Sequence, residues 1–192
     1  CIAAKRFIVH ADVYDAFTAA FVETLSALDL GAPMADSTDI GPLATEPSRA
    51  DVEKQVADAV ARGASVLCGG QRLDQPGWWY PPTVVADLTP DMAMYADEVF
   101  GPVAGVYRVS SIDEAIRVAN GTSFGLGSNA WTDDVREQDR FVADLDAGAV
   151  FVNGMTTSYP ELPFGGVKNS GYGRELAADG IREFCNHKTV WV

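Results

Sequence analysis

Residues 103–120 read VAGVYRVSSIDEAIRVAN, and this stretch holds one complete strand-to-helix transition. Its first seven residues are almost all apolar, which is typical of a strand buried on both faces. Ser111 and, three residues later, Glu114 form a capping box that predicts a helix with Ile112 and Ile116 on its apolar side. A buried strand followed at once by an amphipathic helix is the repeating unit of an α/β fold.

The same alternation runs along the whole chain. Strands are predicted at RFIVH (6–10), SVLC (65–68), PTVVADL (82–88), SNAWT (128–132), AVFV (149–152) and KTVWV (188–192), and further helices over about 11–28, 48–63, 133–147 and 176–184. The sequence therefore predicts an α/β fold with a mostly parallel sheet flanked by helices. We expect one domain over residues 1–186 and a terminal strand over residues 187–192 that pairs outside the domain.

Composition excludes several classes of protein. The 192 residues are 47% hydrophobic and 21% charged, as in an ordinary globular domain. A net charge of −13 without a basic cluster argues against binding to nucleic acid or to an anionic membrane. No apolar run reaches the roughly 20 residues of a membrane helix, and the beginning of the chain lacks signal-peptide features.

The cysteines predict neither a metal site nor a disulfide framework. Cys1, Cys68 and Cys185 are widely spaced, form no CxxC pair, and have only two histidines to assist them. Reduced thiols of this kind predict a cytoplasmic protein. Cys1 taken alone stays ambiguous, because a cysteine is more often buried than reactive and no local base is evident.

Three glycine-containing segments are candidates for chemistry. GLGSNA (125–130) matches a dinucleotide fingerprint formally, but it leads into a strand instead of opening a helix, so we reject it. DEVFGP (97–102) is either an acidic turn or a carboxylate that binds ribose hydroxyls beside an aromatic ring. PFGGVKNSGYGRE (163–175) has four glycines, which indicate close backbone approach to a ligand or to another element.

Together these segments resemble the aldehyde dehydrogenase superfamily. CIAAKR (1–6), EVFGPV (98–103) and PFGGVKNSGYGRE (163–175) match three of its motifs, in order and at suitable separation. The resemblance covers nearly the whole chain and implies the fold of the family's catalytic domain. Within the superfamily, CIAAKRFI (1–8) and the terminal EFCN and TVW stretches are most similar to bacterial succinate-semialdehyde dehydrogenases.

The resemblance implies a role for each candidate site residue. Cys1 would be the nucleophile that forms a thiohemiacetal and then a thioester with a small aldehyde. Glu98 would hold the nicotinamide ribose of NAD or NADP, Phe100 would pack beside the nicotinamide, and Phe164 would line the aldehyde entry. Lys168 and Arg174 would be structural partners. The family's terminal strand takes part in oligomerisation, so a homo-oligomer is expected.

The resemblance also implies that parts of the site lie outside this chain. The cofactor domain, the general-base glutamate and the oxyanion-hole asparagine would precede Cys1, so we expect the chain to be an inactive fragment on its own. Ala3 stands where some members carry a second cysteine, so no redox switch is expected.

Two other interpretations stay open at this stage. An N-terminal-nucleophile hydrolase would use the α-amino group of Cys1 as its base, although such folds stack antiparallel sheets. A non-enzymatic assembly fragment would use the last helix and residues 188–192 for subunit contacts.

Overall fold

The computed structural model describes all residues from Cys1 to Val192, and the chain divides into two compact units. The larger unit comprises Ala4–Val118, and the smaller comprises Ala119–Val192 together with Cys1–Ala3. The elements that begin in the larger unit are β1 (Arg6–His10), α1 (Ala11–Ser26), α2 (Glu46–Ala61), β2 (Ser65–Cys68), β3 (Thr83–Ala86), α3 (Ala93–Ala96), β4 (Val103–Val109) and α4 (Ile112–Asn120).

A four-stranded sheet of order β1-β4-β3-β2 forms the centre of the larger unit. The strands β1 and β3 both pair in parallel with β4, with Arg6 opposite Gly105 and Thr83 opposite Val103. Only β2 is antiparallel to its neighbour, β3. The predicted α/β fold with a mostly parallel sheet is therefore confirmed.

Helices cover both faces of this sheet, as a parallel sheet requires. Val9, Val84 and Val106 face α1 and form a cluster with partly buried aromatic and aliphatic side chains of that helix. The alternate positions on the same strands point the other way, because side chains along a strand alternate between faces. On that second face Val85 and Val103 pack with α2 and α3, and Tyr107 packs with α4.

The helix boundaries follow from their caps. The predicted cap of α4 is confirmed, since the Ser111 hydroxyl accepts the Glu114 amide at 3.2 Å. The cap of α2 is Thr45 and not the predicted Ser48, because Pro47 belongs in the first helical turn and the helix must begin before it. The cap of the later helix α5 (Val135–Asp144) is Asp134 and not Thr132. None of the six helices is long and apolar enough to cross a membrane.

The smaller unit contains two short two-stranded sheets. Its elements are β5 (Phe124–Gly125), β6 (Gly127–Ala130), α5 (Val135–Asp144), β7 (Ala149–Val152), β8 (Val167–Lys168) and α6 (Ala177–Arg182). The strands β6 and β7 are parallel, whereas β5 and β8 are antiparallel. Apart from Gly125 and Gly166, only Ala130, Thr156 and Phe164 are buried in residues 119–192, so this unit has little core within the chain.

The end of the chain differs from the sequence prediction. Residues 187–192 adopt neither helix nor strand, and the side chains of Val190 and Trp191 are 72% and 96% exposed. A strand needs a neighbouring strand for its backbone hydrogen bonds, and this chain supplies none to that segment. The predicted strand is thus not formed here, and its role in oligomerisation stays a prediction.

The sheet core makes a first testable prediction. The substitution Val106→Ala removes two methyl groups from a side chain that is 1% exposed, so we expect the free energy of unfolding to fall by about 2 kcal/mol. Chemical denaturation of the chain measures this loss. The matched variant Val13→Ala makes the same change at a position that is 55% exposed, and it should cost less than about 0.5 kcal/mol. Equal losses in both variants would contradict the proposed core.

Candidate active site

Glu98 and Phe100 lie on the surface of the larger unit, on either side of a buried valine. The segment that carries them, 97–102, follows α3 and leads into β4. Val99 is 4% exposed and anchors the segment in the core, whereas Phe100 is 76% exposed and Glu98 is also exposed. The Phe100 ring and the Glu98 carboxylate are therefore both accessible at the surface of this unit.

The turn at Gly101 is packed directly against α2. A Cβ atom at position 101 would lie 2.7 Å from the Cγ2 atom of Val52, so no residue but glycine fits without a shift of the helix. The amide of Gly101 donates to the Val99 carbonyl at 2.9 Å, which closes the turn. The Gln55 side-chain amide of α2 also donates to the Glu98 carbonyl at 3.3 Å. Helix α2 therefore fixes the backbone that presents Glu98 and Phe100.

Lys5 holds the same turn from the side of the sheet. Its Nζ atom donates to the Gly101 carbonyl at 2.6 Å. Burial lowers the pKa of the Lys5 ammonium, and attraction to Glu98 acts in the opposite direction. Neither Lys5 nor Gln55 was singled out as an anchor from the sequence, because both act through backbone carbonyls that a motif does not reveal.

A groove of about 450 Å³ runs between α2 and the segment that bears Glu98 and Phe100. It is lined by Ser48, Asp51, Val52, Lys54, Gln55, Asp58, Ala93, Asp97, Glu98 and Phe100. Hydrogen bonds from Arg62 and from the Ala93 amide lower the pKa of the Asp58 carboxyl, which favours its charged form. Four carboxylates and one ammonium give this groove acceptors for hydroxyl groups and an affinity for cationic rings. They do not give it a phosphate site.

Two glycines of segment 163–175, Gly165 and Gly166, lie too close to neighbouring atoms of the smaller unit to carry a side chain, whereas nothing lies within 4 Å of a Cβ atom on Gly171. A Cβ atom on Gly148 would overlap the Gly165 carbonyl, and one on Gly165 would lie 2.6 Å from the Gly173 carbonyl. Phe164 and Glu175 exchange two backbone hydrogen bonds of 2.8 Å. The structure therefore shows that part of this segment closely approaches other elements of the chain, and approach to a ligand stays a prediction.

Lys168 and Arg174 have structural contacts, as predicted. The Lys168 ammonium donates to the Asn120 carbonyl at 3.0 Å and lies 3.4 Å from the Asp146 carboxylate. The Arg174 guanidinium donates to the carbonyls of Gly166 and Gly173, at 2.9 and 2.7 Å. Both cations bind backbone oxygens and so hold the glycine-rich segment in its fold.

The four predicted site residues are divided between the two units. Cys1 and Phe164 belong to the smaller unit, whereas Glu98 and Phe100 belong to the larger one. The Cys1 thiol is free and exposed, and Phe164 is 7% exposed. The structure contains no group of three or more His, Cys, Asp or Glu residues that could hold a metal ion. The roles assigned to these four residues stay predictions.

Known proteins similar to this chain agree on one family. The family model described as "Aldehyde dehydrogenase family" matches residues 1–190. Two relatives named NADP(+)-dependent succinate-semialdehyde dehydrogenases, from Mycolicibacterium paratuberculosis and Mycobacterium tuberculosis, are 67% and 66% identical over all 192 residues. The chain spans 41% and 42% of the length of these relatives.

Solved structures give the same result. The chain matches over its full length a succinic semialdehyde dehydrogenase from Streptococcus pyogenes in complex with NADP+, with a TM-score of 0.94, 40% identity and 42% of that chain covered. A betaine aldehyde dehydrogenase from Staphylococcus aureus in complex with NAD+ matches 96% of the chain, with a TM-score of 0.90, 31% identity and 37% of that chain covered. Nothing in the fold or in these relatives supports the N-terminal-nucleophile hydrolase. The chain therefore belongs to the aldehyde dehydrogenase family.

Proposed function

We propose that the chain is the catalytic portion of an NADP+-dependent succinate-semialdehyde dehydrogenase that uses Cys1 as its nucleophile. The observation that carries this proposal is 67% identity, over every residue of the chain, to a relative named for that activity. Because the chain spans about two fifths of that relative's length, the remaining parts of the site would lie in the rest of the protein.

The groove beside Glu98 and Phe100 fits the nicotinamide end of the cofactor. When bound, the cofactor accepts the hydride that the substrate loses. The Glu98 carboxylate would accept hydrogen bonds from ribose hydroxyls, and the exposed ring of Phe100 would pack beside the flat nicotinamide. The phosphate groups would be held elsewhere, because Lys54 is the only cation among the lining residues and four carboxylates oppose it.

Cys1 would do the covalent chemistry. Its thiolate forms a bond from Sγ to the aldehyde carbon, and the carbonyl oxygen becomes an alkoxide. Once hydride has left that carbon, Cys1 holds the acyl group as a thioester. Water then attacks the thioester, the carbon–sulfur bond breaks, and the acid and the thiol are released. Because no base for these steps is evident beside the exposed Cys1, the isolated chain should not turn over.

Phe164 would form an apolar wall of the aldehyde path. Its backbone is fixed by the paired hydrogen bonds to Glu175, and the residue is 7% exposed. The distal carboxylate of succinate semialdehyde requires a cation, which none of the four proposed site residues supplies. Recognition of that carboxylate would therefore fall to other residues of the whole protein.

We also propose a cytoplasmic protein that assembles as a homo-oligomer. Three free cysteines and no disulfide are consistent with a reducing compartment. The terminal segment 187–192 would pair with a second copy, because its last three residues are apolar and exposed and it has no strand partner in its own chain.

The nucleophile is tested by Cys1→Ser in the full-length protein that contains this chain. A serine hydroxyl is a far weaker nucleophile than a thiolate, so NADPH production from succinate semialdehyde should fall by roughly a thousandfold or more. The matched variant Cys185→Ser changes another exposed thiol and should retain activity. Substantial turnover by Cys1→Ser would contradict the proposed mechanism.

The cofactor contact is tested by Glu98→Gln in the same full-length protein. The neutral amide weakens a charge-assisted hydrogen bond, so KM for NADP+ should rise by about tenfold. Initial rates at varied NADP+ and saturating aldehyde measure this. Glu23→Gln makes the same change at an exposed position on α1 and should leave KM unaltered. An unaltered KM in Glu98→Gln would argue against the contact.

The assembly surface is tested by truncation after Asn186. Removal of residues 187–192 should lower the oligomeric order of the full-length protein, as measured by sedimentation. Lys188→Ala provides a control, because it keeps the apolar side chains of the segment. Unchanged sedimentation of the truncated protein would exclude this segment as the contact.

A further inference from the structure

We propose that Lys5 is a positioning residue for cofactor binding: its ammonium group holds the 98–101 segment so that Glu98 and Phe100 face the groove. The inference rests on the proposed function, in which those two side chains contact the cofactor. It assigns to Lys5 a part in the reaction that is distinct from the roles of the nucleophile and of the carboxylate. Its basis is a set of contacts within the larger unit.

The backbone of Lys5 is held in place by a hydrogen bond at the edge of the β1–β4 pairing. Its carbonyl accepts the Gly105 amide at 2.9 Å, at the start of the parallel pairing of β1 with β4. From this fixed backbone its side chain reaches the Gly101 carbonyl at 2.6 Å. One lysine therefore bonds both ends of the stretch 101–105, and it ties the turn at Gly101 to the sheet.

The turn is held through its backbone, and the Gly101 carbonyl accepts the Val103 amide at 2.8 Å as well as the Lys5 ammonium. A side chain at residue 101 would collide with Val52, so this residue can be anchored only through its backbone. An ammonium donor makes a stronger hydrogen bond to a carbonyl than a neutral donor does. Gln55 holds the Glu98 carbonyl from the helix side at 3.3 Å, a longer contact between neutral groups. Lys5 is therefore the stronger of the two side-chain anchors of this segment.

The charge of Lys5 also acts on Glu98. Burial lowers the pKa of the half-buried Lys5 ammonium, and attraction to the Glu98 carboxylate opposes this shift. Lys5 lies four residues after the proposed nucleophile along the chain.

The test is Lys5→Met in the full-length protein, with KM for NADP+ and kcat measured separately. Loss of a charged hydrogen bond should raise KM for NADP+ by about tenfold, while kcat at saturating NADP+ changes much less. Lys5→Arg keeps the positive charge and the donor, and it should restore most of the affinity. In the double variant with Glu98→Gln, the two effects on KM should combine to less than their product, because both act on the same contact.

A matched control separates positioning from general stability. Val106 is a buried residue of the same unit whose side chain packs on the α1 face of the sheet, opposite to α2. Val106→Ala should lower the melting temperature at least as much as Lys5→Met does, yet leave KM for NADP+ unchanged.

The outcomes are distinguishable. If Glu98→Gln raises KM for NADP+ and Lys5→Met does not, the proposed function stands and the role of Lys5 is wrong. A KM that rises equally in Val106→Ala and Lys5→Met, or fully multiplicative effects in the double variant, would likewise overturn the role of Lys5. If neither Glu98→Gln nor Lys5→Met alters KM, the cofactor contact itself is wrong.

Discussion

The parallel pairing of β1 and β3 with β4 is the constraint on which the larger unit depends. A parallel sheet must be covered on both faces, so its strands are apolar throughout and helices are needed on each side. In this chain α1 covers one face, and α2, α3 and α4 cover the other. The candidate cofactor segment lies where α3 ends and β4 begins, so its position is set by the same packing that stabilises the sheet.

Much of this fold could be predicted from the sequence, because local patterns determine it. The strands at 6–10, 65–68, 83–86 and 103–109 follow from apolar runs, and the capping box at Ser111 locates α4. The caps of α2 and α5 were misplaced by two or three residues, since serine, threonine and aspartate compete for the same role. The terminal strand could not be settled, because its partner lies outside the chain.

The candidate site was less predictable than the fold. Glu98, Phe100 and Cys1 belong to short motifs with a recognisable chemistry, so a single sequence can point to them. The role of Gly165 and Gly166 could not be predicted from the sequence, because glycine is needed both for close approach to a ligand and for close approach to a neighbouring backbone. Lys5 and Gln55 bind carbonyl oxygens, which every residue possesses, so only the folded backbone identifies their partners.

The contact between Gly101 and Val52 couples two positions that are 49 residues apart in the sequence. The two methyl groups of Val52 fill the space between α2 and the turn, which leaves no room for a side chain at position 101. A larger residue at 101 becomes acceptable only if residue 52 becomes smaller, for example alanine. The path of the segment that carries Glu98 therefore depends partly on the residues of α2, and any redesign of the groove has to begin with that helix.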